Sequence, residues 1–188
     1  MSATADLLEY IQLGFTHVIP LGFDHILFIL CLFFHCTNLK SIVLQCSIFT
    51  IAHSLSLGSA SYGLVMPNEH VVEPLIALSI LFTAIENMVS TKINTSRLVL
   101  IFAFGLIHGL GFAAALKDIG IPKEQFLATM VAFNIGVEIG QFIVIFVAYL
   151  LVSKWFAAKT WYKDRIVYPI SSAIACIALY WFLERIIG

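Results

Sequence analysis

The sequence predicts an all-α fold, a polytopic transmembrane bundle of about six spanning helices with a short N-terminal interfacial helix, and three observations carry that prediction. Hydrophobic residues make up 61% of the 188 positions, charged residues 11%, and mean hydropathy is +1.00. A domain of this size does not stay in water with so little polar surface. Six apolar runs, at 18–37, 41–65, 72–91, 98–116, 126–152 and 166–183, reach the length of about 20 residues that a helix needs to cross the hydrocarbon layer. The loops between them are short, and backbone amides in hydrocarbon must be paired within their own segment, so each run is a helix. The whole chain, 1–188, is expected to be one integral membrane domain.

The elements follow in order. Residues 1–10 hold Asp6 and Glu9 and no basic n-region, unlike an intact signal peptide; either a leader has been removed or the short tail crosses unaided. Residues 7–16 are amphipathic and either lie at the interface as a short helix or extend the first span. Pro20 lacks a backbone N–H and suits a first helical turn better than a middle. A break there is the favoured reading, with His17 in the turn above and Asp24 and His25 in the second turn of the membrane helix. The second span carries His53 among the hydroxyls of Thr50, Ser54, Ser56, Ser59 and Ser61. The third opens on Glu73 and Pro74, where a carboxylate favours a helix N-terminus. In the fourth, glycines at 105, 109 and 111 surround His108 and let neighbouring backbones approach the imidazole. In the fifth, Asn134, Glu138 and Gln141 share one helical face, while Gly136 and Gly140 form a GxxxG pair on another.

Charge sets the expected orientation. Lys40, Lys92, Arg97, Lys154, Lys159, Lys163 and Arg165, seven of the ten basic residues, fall on one side, and Lys117, Lys123 and Arg185 on the other. The positive-inside rule then puts both termini outside. Trp155, Trp161 and Tyr162 flank the most basic loop as an interfacial anchor. The net charge of −1 and the scattered basic residues give no nucleic-acid surface. The four cysteines lie in or beside apolar runs and read as small core residues ahead of soft metal ligands.

Within the apolar runs stand Asp24, His25, His53, Glu86, His108 and Glu138, with no lysine or arginine among them. Ionisable groups at such depth are costly and mark functional interiors, and with no basic side chain in the same runs the expected partner is a cation. At 1.5 Å per residue, His53, His108 and Glu138 fall near the bilayer middle, with Asp24 and His25 slightly nearer the outer face and Glu86 lower, at the inner end of its span. Imidazole and carboxylate are ordinary ligands of nickel, cobalt and zinc. The candidate metal ligands are therefore His17, Asp24, His25, His53, His108 and Glu138, Asp24 serving either as a ligand or as a group that orients an imidazole. Glu86 with Asn87 is read as reaching water at the inner interface, and His35 with Cys36 as interfacial.

Five blocks, 14–28, 49–54, 72–79, 104–112 and 133–141, resemble in the same order the HupE/UreJ family of membrane proteins. The resemblance runs over about residues 10–150. It implies a small polytopic protein associated with nickel, and in some members cobalt, supply to hydrogenase or urease, in a bacterial inner (plasma) membrane. The family signature, a histidine followed by an aspartate-histidine pair in the first membrane segment, is matched by His17, Asp24 and His25. Six residues separate His17 from Asp24 where the permease branch has five, so the chain resembles the second branch.

Three function classes fit these residues. The leading one is a divalent transition-metal permease or metal-binding membrane protein. The alternative is an intramembrane zinc hydrolase with three histidines on the metal and Asp24 or Glu138 as general base. The third is a structural protein whose polar groups hydrogen-bond helix to helix without metal. The expected partners are the lipid bilayer and the ion, and a homo-oligomer is compatible with the bundle.

Overall fold

The computed structural model describes residues 3–90, 92–118 and 126–187. Within them the chain is helical and has no strand: α1 (Ala3–Val18), α2 (Phe23–His35), α3 (Leu39–Ser61), α4 (Glu69–Val89), α5 (Thr95–Asp118), α6 (Phe126–Ala148), α7 (Lys154–Phe156) and α8 (Tyr168–Ile187). Wider π-type turns at Tyr149–Ser153 and Lys163–Val167 lengthen α6 and α8. Five helical stretches among the described residues are long and apolar enough to cross a membrane, and α1 with α2 makes a sixth as one broken span bent by 70°. The loop that carries Lys123 and Glu124 lies outside the described residues.

The break falls at Pro20 as expected, but the helix resumes only at Phe23, which puts Asp24 and His25 in its first turn and not the second. α1 stops at Val18 and α2 begins at Phe23, and the turn between them folds so tightly that a Cβ on Gly22 would overlap the His17 carbonyl oxygen. At 13 residues, α2 is about 20 Å long by helical rise, too short to cross the membrane alone. It is buried along much of its length, with Phe28, Ile29, Cys31, Leu32 and Phe33 at most 2% exposed. A helix that is apolar nearly all round belongs at the centre of a bundle, and α2 contacts α3, α4, α6 and α8.

Around it the helices pair as α3 with α5, α1 with α6, and α4 with α8. Glycines set the first two pairings. A Cβ on Gly14 would overlap the Phe133 carbonyl, one on Gly136 the Ile11 carbonyl, and one on Gly140 would crowd Val18. α1 therefore lies against α6 through the GxxxG face, which settles how the amphipathic N-terminal segment is placed. Likewise Gly105 and Gly109 of α5 face the carbonyls of Phe49 and His53 on α3, with no room for a Cβ. The apolar residues left exposed, such as Leu127, Val131, Ile135 and Ile139 on α6, form outward stripes suited to lipid.

Several boundaries differ from the sequence reading, and two have a clear local cause. α3 ends at Ser61, four residues early, because Gly63 adopts φ +73° in a turn that stops the helix. α4 starts at Glu69, three residues early, capped by the Asn68 side chain, which accepts from the His70 N–H. Pro74 thus sits beyond the first turn, and Glu73 is free of the capping role expected for it.

Candidate metal centre

Three elements bring the histidines together. His17 ends α1, His25 opens α2 after the tight turn, and His53 comes from the middle of α3. One ring nitrogen from each of the three lies within 4.8 Å of the others. The ring centroids are 4.6 Å apart for His17 and His25, 5.6 Å for His25 and His53, and 5.8 Å for His17 and His53. His108 of α5 adds a fourth ring, 5.3 Å from His25. The close glycine contact of α5 on α3 is what allows it so near.

The hydrogen bonds fix which nitrogens are free. His108 Nδ1–H donates to the Phe104 carbonyl at 2.8 Å; a carbonyl only accepts, so Nδ1 carries the proton and Nε2 keeps its lone pair. That Nε2 is buried without a partner, as are Nε2 of His17, Nε2 of His25 and both ring nitrogens of His53. An orphaned buried polar group costs about 1–3 kcal/mol, and here the cost recurs on four neighbouring rings. A cation among them would take one lone pair from each ring it meets, His17, His25 and His53 being the three whose nitrogens lie mutually close. Bonds of about 2.0–2.1 Å to imidazole nitrogen would require these atoms to draw closer together.

The surroundings are aromatic. Phe112 lies 3.9 Å from the His17 ring, Phe49 and Phe28 lie 5.0 and 5.2 Å from His108, and Phe133 lies 5.6 Å from His17. Above the histidines a cavity of about 260 Å³ is lined by His17, His25, His108, Asp24, Glu73 and Arg185, among others. It opens on the side where α2 and α4 begin and α8 ends.

Asp24 stands at that rim, and its partner corrects the sequence reading. The Arg185 guanidinium donates to Asp24 Oδ2 at 3.4 Å and to the Glu73 carbonyl at 3.0 Å. Glu86 also has a basic partner. Arg97, 1% exposed, forms an ion pair with it and donates through Nε to Gln45 Oε1 at 2.7 Å. The acids were expected to lack such partners because Arg97 and Arg185 lie at span ends, but a long side chain reaches a turn or more into its neighbours. His35 is likewise buried, its Nδ1–H donating to Asn87 Oδ1 at 3.1 Å. Neither Glu86 nor His35 is interfacial in the manner expected.

Glu138 is not brought to the histidines' cavity. It lines a separate outward cleft with Val131, Asn134, Ile135, Ile139 and Phe142. Of its stripe, Gln141 alone turns inward, donating to Thr50 Oγ1 at 3.0 Å. Sequence reasoning did not single out Glu73 or Arg185 for the site. The one available signal was Arg185 itself, a cation at the end of a span where basic residues are scarce.

A family model described as HupE / UreJ protein, that of the second branch, matches residues 1–185. This chain belongs to the HupE / UreJ family. Neither the curated proteins nor the solved structures contain a significant match. As a HupE / UreJ protein it is an integral membrane protein with a buried histidine cluster, in a family associated with nickel and cobalt transport.

Proposed function

We propose that this HupE / UreJ protein is a permease or binding protein for a divalent transition-metal ion of the nickel or cobalt type. His17, His25, His53 and His108 hold the ion as cargo, Asp24 stands at the rim, and Glu138 stays outside the ligand sphere. The observation that carries the reading is the set of buried, unpartnered imidazole nitrogens beneath a cavity that opens to one side. Neutral nitrogen donors suit nickel, cobalt and zinc, and the aromatic wall lowers the polarity around them. On this reading residues 1–188 form one domain in a bacterial inner membrane, with the termini and the cavity mouth outside.

The hydrolase alternative needs a free carboxylate beside an open position on zinc. Asp24 is tied to Arg185 and Glu138 lines another cleft, so the carrier fits better. The metal-free structural alternative requires helix-to-helix hydrogen bonds at the histidines, and the unpartnered nitrogens speak against it.

Elemental analysis of purified protein exposed to nickel or cobalt tests the reading. Wild type is expected to retain close to one ion per chain, and His53→Ala and His108→Ala to lose it. Unchanged metal content in both variants would falsify the site. In proteoliposomes the wild type is expected to move the ion down its gradient; retention without movement leaves a binding protein and removes the permease.

A further inference from the structure

Arg185 lines the cavity above the histidines, beside Asp24 and Glu73. It lies in the last turn of α8, its guanidinium 5.5 Å from the Trp181 ring one turn earlier. From there it reaches two other helices: Nη2 is 3.4 Å from Asp24 Oδ2 on α2, Nη1 donates to the Glu73 carbonyl on α4, and Nε is 4.0 Å from Glu73 Oε2. All three residues line the cavity above the histidines. The Arg185 and Asp24 side chains are 22% and 27% exposed, so the pair is neither sealed in the core nor free in water.

We propose that Arg185 is a tethered latch across the mouth of the histidine cavity, occupying the gap between Asp24 and Glu73 that a divalent cation enters by displacing it. The proposal rests on the metal-carrier reading above and adds to it a selectivity device. A monovalent ion offers the two carboxylates no more charge than the guanidinium already does, and it lacks the planar fork of donors. A dication brings twice the charge and therefore competes. Once displaced, the guanidinium remains held at Trp181, ready to return after the ion has descended to the imidazoles.

Cobalt loading of the purified full chain in detergent tests this, because Co²⁺ bound to imidazoles absorbs visible light and its arrival can be followed by stopped flow. Arg185→Gln is expected to load about tenfold faster than wild type, as removal of a steering or blocking charge does, and to reach the same final spectrum. Arg185→Lys keeps the charge but cannot bridge both acids; it is also expected to load faster. In an Asp24→Asn, Glu73→Gln background, replacing Arg185 should no longer accelerate loading. Wild-type or slower rates in Arg185→Gln and Arg185→Lys, with the final spectrum intact, overturn the latch and leave the histidine site standing. If Arg185→Gln does not fold, Arg185→Lys decides alone. A wild type that never develops the cobalt spectrum removes the metal site and the latch with it.

Discussion

Arg97 shows how one side chain can organise an end of this bundle. Its guanidinium is buried between Glu86 and Gln45, which ties α5 to α4 and α3 below the histidines. Breaking a buried ion pair strands the remaining charge and costs about 3–5 kcal/mol, whereas replacing both partners with apolar groups is often nearly neutral. Glu86→Gln is therefore expected to destabilise by about 3 kcal/mol, and an Arg97→Met, Glu86→Met double variant to recover most of that; thermal unfolding in detergent measures both. A double variant as unstable as the single one would mean the pair is not what holds this end. His35 provides a contrast with the cluster. Its Nδ1–H donates to Asn87 Oδ1 at 3.1 Å, so His35→Ala should lower the unfolding temperature while metal content stays at the wild-type value.

At the scale of elements, glycine decides which helices touch. Gly14 and Gly136 press α1 onto α6, and Gly105 and Gly109 press α5 onto α3, so the helices that carry His17, His53 and His108 each have a partner at backbone contact. Forcing a methyl into such a contact costs about 1–3 kcal/mol. Gly136→Ala should destabilise within that range and also weaken metal retention, because α1 carries His17. Gly58→Ala is the control: its Cβ would meet only the Met130 side chain, at 3.3 Å, and its unfolding temperature should stay within a degree or two of wild type. Equal losses in both variants would remove the argument that α1 is seated by the GxxxG face. The stripe of Asn134, Glu138 and Gln141 is more divided than helical spacing alone suggested. Gln141 bonds α3 while Glu138 lines an outward cleft, since a stripe covers enough of the helix circumference for one end to face a neighbour and the other to face lipid.

For the whole molecule the open question with a direct measurement is orientation. The cavity mouth lies beside Asp24, Glu73 and Arg185, and the basic loop with Lys154, Lys159, Lys163 and Arg165 lies at the other end of α8. Aromatic rings meet that loop's cations, Lys154 over Trp155 and Arg165 near Trp161, as at a membrane surface. With Cys36 changed to serine, a cysteine at Asn68 should react with a membrane-impermeant thiol reagent in right-side-out vesicles. A cysteine at Lys159 should react only after the vesicles are inverted or opened. The reverse pattern would place the mouth inside and turn the carrier into one loaded from the cytoplasm.

Hydropathy and the rarity of charge in apolar runs settled from sequence that this is a helical membrane bundle, because each span must satisfy its own backbone and so writes its length into local composition. Local order also located the break at Pro20 and the glycines beside His108 and Glu138. Tertiary structure alone decided which polar groups meet: His17 folds back onto His25, which lies beside His53 and His108, while Glu138 goes elsewhere. It alone revealed that Arg185 and Arg97 answer Asp24 and Glu86. The physical reason is that a side chain's partner depends on helix rotation and on reach across the bundle, neither of which is encoded in the periodicity of a single segment.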